Sequence, residues 1–210
     1  MERKILISVT VMLLSILIIG IFYIGREQKF KKKYTNEDFN IQKYYSNFDK
    51  DQDGLDDQSD ILKGVKDYIA LKPKYKSKYY ANGYPDDEYG VCTDVVGAGL
   101  KSAGYDLMVL VGEDIELNRD KYNIKVPDKN IDFRRVRNLK VYLDNNAISL
   151  TMDIYNIKEW QGGDIVVFKN HIGIISDVRN KNGVPYVIQK NYEEDILEYR
   201  DDIIGHYRIS

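Results

Sequence analysis

An apolar run near the N-terminus constrains the fold of this chain more than any other feature. Ile5 to Gly25 is a stretch of 21 residues without a charged side chain. At about 1.5 Å per helical residue, such a stretch crosses a hydrocarbon layer about 30 Å thick. A cleaved signal peptide would have a shorter apolar region and a small-residue cleavage site, and neither is visible. We therefore expect residues 1–25 to form an uncleaved transmembrane anchor.

The sequence after this run predicts one globular domain, joined to the apolar run by a polar segment. Residues 26–48 are polar and charged, which is typical of a stalk, and the pattern near Glu37 to Phe48 favours a helix. Of the 210 residues, 43% are hydrophobic and 30% are charged, so residues 49–210 can form a core. The 31 basic and 33 acidic residues give a net charge of -2. Because nucleic-acid binding needs an excess of positive charge, no nucleic-acid partner is expected.

Hydrophobic spacing predicts helices first and a small antiparallel sheet afterwards. Apolar residues recur at helical spacing from Asp60 to Leu71 and from Val95 to Ala103. Short apolar runs separated by turn residues then predict three antiparallel strands, at Ile165 to Phe168, Ile172 to Ser176 and Tyr186 to Gln189. The expected fold class is α+β, with N-terminal helices packed on the sheet.

An acidic segment, DKDQDGLDDQSD at residues 49–60, has the spacing of a calcium loop. Gly54 is its sixth residue, where such a loop turns sharply, but the twelfth position holds Asp60 where Glu is usual. The alternative is a solvated acidic turn that caps the helix beginning near Asp60. In the calcium interpretation, the ligands are the side chains of Asp49, Asp51, Asp53, Asp57 and Asp60 and the carbonyl group of Leu55.

Cys92 is the candidate nucleophile. It is the one cysteine of the chain, so no intrachain disulfide can form. It lies in the segment GVCTDVVGAGLKSAGYDL, just before a predicted helix. At a helix N-terminus the macrodipole lowers the pKa of a thiol, and the free backbone amides of the first turn can stabilise an oxyanion. The alternative is a buried cysteine that serves only in packing.

His171 is the candidate general base. It begins the predicted strand HIGIISD after a turn, so its ring can project from the sheet edge toward the helix. A cysteine on a helix that faces a histidine on a strand is the papain-like arrangement. A third polar group would orient the imidazole, and the candidates are Gln189 and Asn191 on the neighbouring strand. Gln189 is preferred, because it ends the alternating run that starts at Tyr186.

Five stretches of the sequence carry a family resemblance: GVCTDVV, NIDFRRVRNL, WQGGDIVVF, HIGIISDVRN and GHYR. In this order they resemble the bacterial domain-of-unknown-function family 1287, over about residues 49–210. That family in turn resembles the NlpC-type cell-wall peptidases, which are papain-like. The resemblance implies that Cys92 is the nucleophile, His171 the base and Gln189 the third residue. The family usually has histidine at the third position, and glutamine cannot carry the same charge.

Other polar residues of these stretches have supporting roles in this interpretation. Asp94 is expected to cap the helix of Cys92, Asp164 to fix a turn, and His206 to be structural. An arginine pair in the second stretch could bind a substrate carboxylate. The polar network that supports or lines the substrate groove is expected from Asn130, Asp132, Arg134 and Arg135.

The resemblance implies hydrolysis of an amide bond in peptidoglycan stem peptides or a related cell-envelope substrate, through an acyl enzyme on Cys92. The alternatives are a non-catalytic cell-wall binding module and a thiol acyltransferase that uses the same cysteine and histidine. No organic cofactor is expected, and calcium is the candidate ion. A cell-wall substrate places the domain outside the membrane, although the basic residues that follow the anchor favour the cytoplasmic side under the positive-inside rule.

Overall fold

The computed structural model describes residues 33–189, 194–197 and 200–209. The chain divides into two compact units, Met1–Lys33 and Tyr34–Ser210, and the fold below is that of the second. The predicted anchor, Ile5 to Gly25, lies outside the described residues. Within those residues, no single helix is long and apolar enough to cross a membrane. Cys92–Ser102 and Leu107–Leu117 meet the length and composition only as a pair, with a bend of 102° between them.

Helices occupy the first half of the domain. Their bounds are Asp57–Ala70 (α1), Cys92–Ser102 (α2), Leu107–Leu117 (α3), Arg119–Tyr122 (α4) and Val136–Asn146 (α5). α1 begins earlier than the predicted Asp60, because the Asp56 side chain caps it by accepting the Ser59 N–H at 3.3 Å. α2 begins at Cys92 and not at Val95, so the candidate nucleophile is part of the helix.

Most strands lie in the second half. Their bounds are Lys74–Tyr75 (β1), Tyr89–Gly90 (β2), Ile148–Ser149 (β3), Ile165–Phe168 (β4), His171–Arg179 (β5), Pro185–Ile188 (β6), Glu194–Ile196 (β7) and Ile203–Arg208 (β8). β1 and β2 form a short parallel ladder, and the other six form an antiparallel sheet in the order β3-β8-β4-β5-β6-β7. The three predicted strands are β4, β5 and β6. The mixed α+β class with an antiparallel sheet is therefore confirmed.

Both faces of the central strands are covered, which explains why these strands are apolar at nearly every position. The face that packs with α1 and α2 in the larger core carries Ile165, Val167, Ile172, Ile174 and Ile188. The opposite face forms a smaller core around Trp160, with Val166, Phe168, Ile175 and Val187. In the register of β4 against β5, Phe168 pairs with His171. His171 therefore shares with Phe168 the face of the sheet that lies away from α1 and α2, and its neighbour Ile172 faces the helices. The register thus contradicts the expectation that the His171 ring projects toward the helix of Cys92.

The segment that precedes α1 belongs to the domain. Tyr34 and Arg179 exchange both backbone hydrogen bonds, at 3.1 and 2.7 Å. The buried Arg179 guanidinium donates to the Asn36 side chain at 2.7 Å and also to three backbone carbonyl groups. The described residues near the predicted helix form only a 3-10 turn at Glu37–Phe39. The boundary expected at residue 49 therefore lies at Tyr34, and residues 34–48 are not a stalk.

α1 and α2 pack through glycine residues. A Cβ atom on Gly99 of α2 would lie 2.5 Å from the Val65 Cγ2 atom and 3.0 Å from the Ile61 carbonyl oxygen of α1. A Cβ atom on Gly64 of α1 would lie 2.3 Å from the Ser102 Cβ atom of α2. The helices therefore approach more closely than larger residues allow, and this approach holds the helix of Cys92 in place.

We expect Gly99→Ala to lower the free energy of unfolding by about 1–3 kcal/mol, because the added methyl group overlaps α1. Gly97→Ala is the matched control in the same helix, since the nearest atom to its Cβ would be Tyr84 Cε1, at 3.7 Å. The control should be neutral or stabilising by up to about 1 kcal/mol, because alanine has the higher helix propensity. Urea denaturation measures both changes. Equal effects of the two substitutions would contradict the close approach.

Candidate active site

Cys92 is the first residue of α2 and is 6% exposed. The preceding Val91 is extended, with φ -131° and ψ 179°, and its side chain has no atom that can cap a helix. Asp94 supplies a cap from inside the first turn, because its Oδ2 atom accepts the Val91 N–H at 2.7 Å. The start of the helix, and with it the position of Cys92, is therefore fixed by Asp94.

The Cys92 sulfur lies between the helix start and strand β5. The backbone N–H groups of Ile172, Thr93 and Cys92 lie close enough to the sulfur to lower the pKa of the thiol. The Ile172 N–H belongs to the peptide group that joins His171 to Ile172. The sulfur therefore lies against the beginning of the strand that carries the candidate base.

Burial raises the pKa of the Cys92 thiol, and the charge of Asp94 adds to the rise. The three N–H donors lower the thiol pKa, but the net direction is upward because burial has the largest effect. The net direction is therefore opposite to the one expected from the helix terminus alone. The resting group is a protonated thiol, which must lose its proton when it reacts.

His171 and Gln189 lie on the same face of the sheet. His171 is the first residue of β5 and is partly exposed. Gly173 points to the same face, and a Cβ atom on it would lie 3.2 Å from the Gln189 Cβ atom. Gln189 is buried, with 2% of its surface exposed. The structure thus places the candidate base and the preferred third residue together, whereas Asn191 lies outside the described residues.

Asp202 is a carboxylate near His171 that no sequence pattern predicts. Its backbone carbonyl accepts the Lys169 N–H at 3.0 Å, which places it beside the turn between β4 and β5. Arg200 donates two hydrogen bonds to its carboxylate, at 2.8 and 2.9 Å. These bonds lower the pKa of Asp202, and the charge of His171 contributes in the same direction. Asp202 is therefore an ionised group within electrostatic reach of His171.

Tyr75 is a second residue of the site that no sequence pattern predicts. It pairs with Gly90 in the β1-β2 ladder, and Gly90 precedes Cys92 by two residues. Burial raises the pKa of Tyr75, and the charges of Cys92 and Asp94 add to the rise. The residue is nevertheless 51% exposed, so a substrate could contact it. Its segment has the composition of a loop, and no motif spacing connects Tyr75 to Cys92.

Asp94 and Arg134 form a buried ion pair. The Arg134 Nε and Nη2 atoms donate to the two carboxylate oxygens of Asp94 at 2.6 and 2.9 Å, and both side chains are 2% exposed. The Nη1 atom of Arg134 donates to the Lys78 carbonyl oxygen at 2.7 Å. Because its guanidinium is buried, Arg134 supports the helix start and is not accessible to a substrate carboxylate. Arg135 differs, since its side chain is 47% exposed and lies 3.7 Å from Asp132.

Asp164 is the centre of a separate buried polar cluster. It precedes β4, at the opposite end of that strand from Phe168 and His171. The His206 Nε2 atom lies 3.0 Å from its Oδ2 atom, and the His206 ring stacks on Trp160 with 3.6 Å between ring centroids. Asp164 also accepts hydrogen bonds from Arg208, from Gln58 and from the Gln161 backbone. The place of Asp164 and His206 in this cluster indicates structural roles.

The acidic loop brings some of its predicted ligands together. Carboxylate oxygens of the exposed residues Asp49, Asp51 and Asp53 lie within 4.8 Å of one another. Asp60 is buried, and burial together with the charges of these three residues raises the pKa of Asp60 to about 6. Leu55 lies at the surface, with 37% of its area exposed. These residues remain candidates for a cation site.

Asp57 is not available as a ligand of the candidate cation site. Its Oδ1 atom accepts the Lys50 N–H at 2.8 Å, and its Oδ2 atom accepts the Tyr105 hydroxyl at 2.6 Å. Asp57 is also 1% exposed, because it is the first residue of α1. Its side chain ties the loop to the rest of the domain, so the structure removes Asp57 from the predicted ligands.

We expect Arg134→Ala to lower the free energy of unfolding by about 3–5 kcal/mol, because it leaves the buried Asp94 carboxylate without its partner. Arg135→Ala is the matched control, and its effect should be about 0–1 kcal/mol, as for an exposed ion pair. Urea denaturation of the two variants measures the difference. A similar small effect of both would show that the Asp94 carboxylate does not need Arg134.

Comparisons with known proteins agree with the sequence stretches described above. Residues 62–209 match the family described as "Domain of unknown function (DUF1287)". The uncharacterized protein YijF of Escherichia coli (strain K12) is 37% identical over 153 residues, which cover 67% of this chain and 74% of that protein. No solved structure matches this chain significantly. The chain therefore belongs to the DUF1287 family.

Proposed function

We propose that this chain is a papain-like cysteine hydrolase that cleaves amide bonds in peptidoglycan stem peptides or a related cell-envelope substrate. One observation carries the proposal: the Cys92 sulfur, at the start of α2, lies close to the N–H of the peptide group that follows His171, which lowers the pKa of the thiol. The candidate nucleophile and the candidate base therefore belong to two elements that meet at one point of the sheet. A cysteine helix that meets a histidine strand is the arrangement expected for an NlpC-type peptidase. The proposal requires the His171 ring, which starts from the other face of β5, to turn around the beginning of the strand to the thiol.

In the proposed reaction, His171 removes the thiol proton while the Cys92 sulfur attacks the carbonyl carbon of the amide. The raised thiol pKa favours this coupled transfer over a preformed ion pair. Backbone N–H groups of the first turn, at Cys92 and Thr93, stabilise the oxyanion that forms. His171 then delivers the proton to the leaving amine. A water molecule that His171 deprotonates releases the acid and restores the thiol.

Two groups are candidates to support His171 during this reaction. The Gln189 side chain, on the same face of the sheet, can accept a ring N–H and orient the imidazole. Asp202 is ionised, and its charge stabilises the imidazolium that forms when the thiol loses its proton. Asp202 thereby supplies the negative charge that Gln189 lacks.

The accessible residues around Cys92 suit a peptide substrate. Tyr75 is half exposed beside the thiol, so it can pack against the substrate chain. The Arg134 carbonyl accepts the Thr93 hydroxyl at 3.2 Å, which places the exposed Arg135 near the start of α2. Stem peptides carry free carboxylates, and Arg135 can bind one of them. With the apolar run Ile5 to Gly25 as its anchor, the domain would act on the outer side of the membrane.

A packed thiol in a cell-wall binding module is the second candidate, and the burial of Cys92 favours it. A cysteine that is 6% exposed with a raised pKa is also what a purely structural residue would show. A thiol acyltransferase is the third candidate, because it uses the same acyl enzyme and differs only in the acceptor. The experiment below separates the three.

The direct test incubates the full-length protein, in detergent micelles, with purified peptidoglycan and with soluble fragments of it. Mass spectrometry should detect product pairs in which one amide bond has gained the elements of water. Cys92→Ala should abolish these products, and His171→Ala should slow them by about 100-fold or more. Lys169→Ala is the matched control for His171, because Lys169 is an exposed residue of the adjoining turn.

Two outcomes would replace the proposal. Binding to peptidoglycan without new products, with equal affinity for the unaltered protein and Cys92→Ala, would favour the binding module. Products that join the acyl fragment to an added amine, in place of water, would favour the acyltransferase.

A further inference from the structure

The oxygens of three carboxylates in the acidic loop fit around one cation. Calcium binds oxygen at about 2.3–2.6 Å, so two of its ligands are at most about 5 Å apart. The oxygens of Asp49, Asp51 and Asp53 lie within 4.8 Å of one another, inside that limit. Acidic clusters are common on protein surfaces, so a cation site at this loop also requires the fourth carboxylate, that of Asp60.

Asp60 is buried without a hydrogen bond to one of its oxygens. The residue is 2% exposed, and its Oδ2 atom has no hydrogen-bond partner among the described residues. A buried carboxylate oxygen without a partner is destabilising. Asp60 lies in the first turn of α1, at the twelfth loop position, where a calcium loop has its closing ligand. A cation would satisfy this oxygen.

The backbone of the loop has the shape that such a site requires. Gly54, the sixth residue, has φ +95°, and a Cβ atom on it would meet no atom within 4 Å. Glycine is therefore needed there for its conformation and not for space. The turn puts the Leu55 carbonyl at the seventh position, where calcium loops use a backbone oxygen. Asp57, at the ninth position, is committed to other partners, and calcium loops often use a water molecule there.

The loop also lies against the end of the helix that carries Cys92. A Cβ atom on Gly104, just after α2, would lie 3.2 Å from the Asp51 Cβ atom. The C-terminus of a helix carries a partial negative charge, which repels the carboxylates of the loop. A bound cation would relieve that repulsion and join the start of α1 to the end of α2.

From these observations we propose that residues 49–60 bind one Ca²⁺ ion, through the side chains of Asp49, Asp51, Asp53 and Asp60 and the carbonyl group of Leu55. Calcium is the ion of choice because a shell made mostly of protein oxygens suits Ca²⁺ better than Mg²⁺. The site precedes residue 62, where the family match begins, and it is independent of the proposed hydrolysis.

The experiment titrates the full-length, chelator-treated protein with CaCl₂ up to about 10 mM, well above the dissociation constants of extracellular calcium modules. Calorimetry should give one ion per chain, and the melting temperature should rise by about 5 °C, because the ion binds only the folded state. MgCl₂ should bind at least about 10-fold more weakly.

Asp60→Asn is the sharpest variant, because it should remove the calcium response and also raise the melting temperature of the calcium-free protein. Asp51→Asn, at an exposed position, should remove the response without affecting folding. Asp67→Asn is the matched control on α1, where Asp67 is 66% exposed, and it should keep the response. No calcium binding to the unaltered protein, or binding that survives both Asp60→Asn and Asp51→Asn, would overturn the proposal.

Discussion

The buried ion pair between Asp94 and Arg134 is the interaction on which the candidate site depends. Its two side chains are almost fully removed from water, so each charge needs the other. Asp94 also accepts the Val91 N–H, and Arg134 also donates to the Lys78 carbonyl. The pair therefore joins three segments at the point where α2 begins. Because Cys92 is the first residue of α2, the direction of its sulfur toward β5 follows from this pair.

The position of Cys92 brings two opposite electrostatic effects together. Burial disfavours the thiolate, whereas the N–H groups of Ile172 and Thr93 favour it, and burial has the larger effect. A thiol in this state does not react unless a base takes its proton during the attack. His171 begins the strand that meets the thiol, and Asp202 lies near it. The His171 ring can take the proton only by turning from the Phe168 face of the sheet toward Cys92. A cysteine that only packs in the core tolerates the same burial. Whether His171 acts as a base on Cys92 therefore distinguishes a hydrolase from a binding module with a packed thiol.

Local patterns predicted the central strands and the helix at Cys92, because β-branched runs and helical spacing are properties of neighbouring residues. The residues that the sequence did not predict depend on contacts between distant segments. Asp57 has the spacing of a calcium ligand, but Tyr105, from the turn after α2, takes one of its oxygens. Arg134 has the chemistry of a carboxylate-binding residue, but Asp94 is buried against it. Asp202 lies near His171 only because β8 pairs with β4. The spacing of residues in the sequence does not predict this pairing.

The central claim is that His171 activates Cys92 for attack on an amide carbonyl. The most direct test is covalent labelling of the full-length protein by a stem-peptide analogue that carries an electrophilic ketone, with iodoacetamide as a measure of simple access to the thiol. The account predicts that His171→Ala loses labelling by the peptide analogue at neutral pH and keeps its labelling by iodoacetamide at alkaline pH, where the thiol ionises without His171, with Cys92 as the modified residue in both cases. Equal labelling by the peptide analogue with and without His171 would contradict the claim and leave Cys92 as a packed thiol.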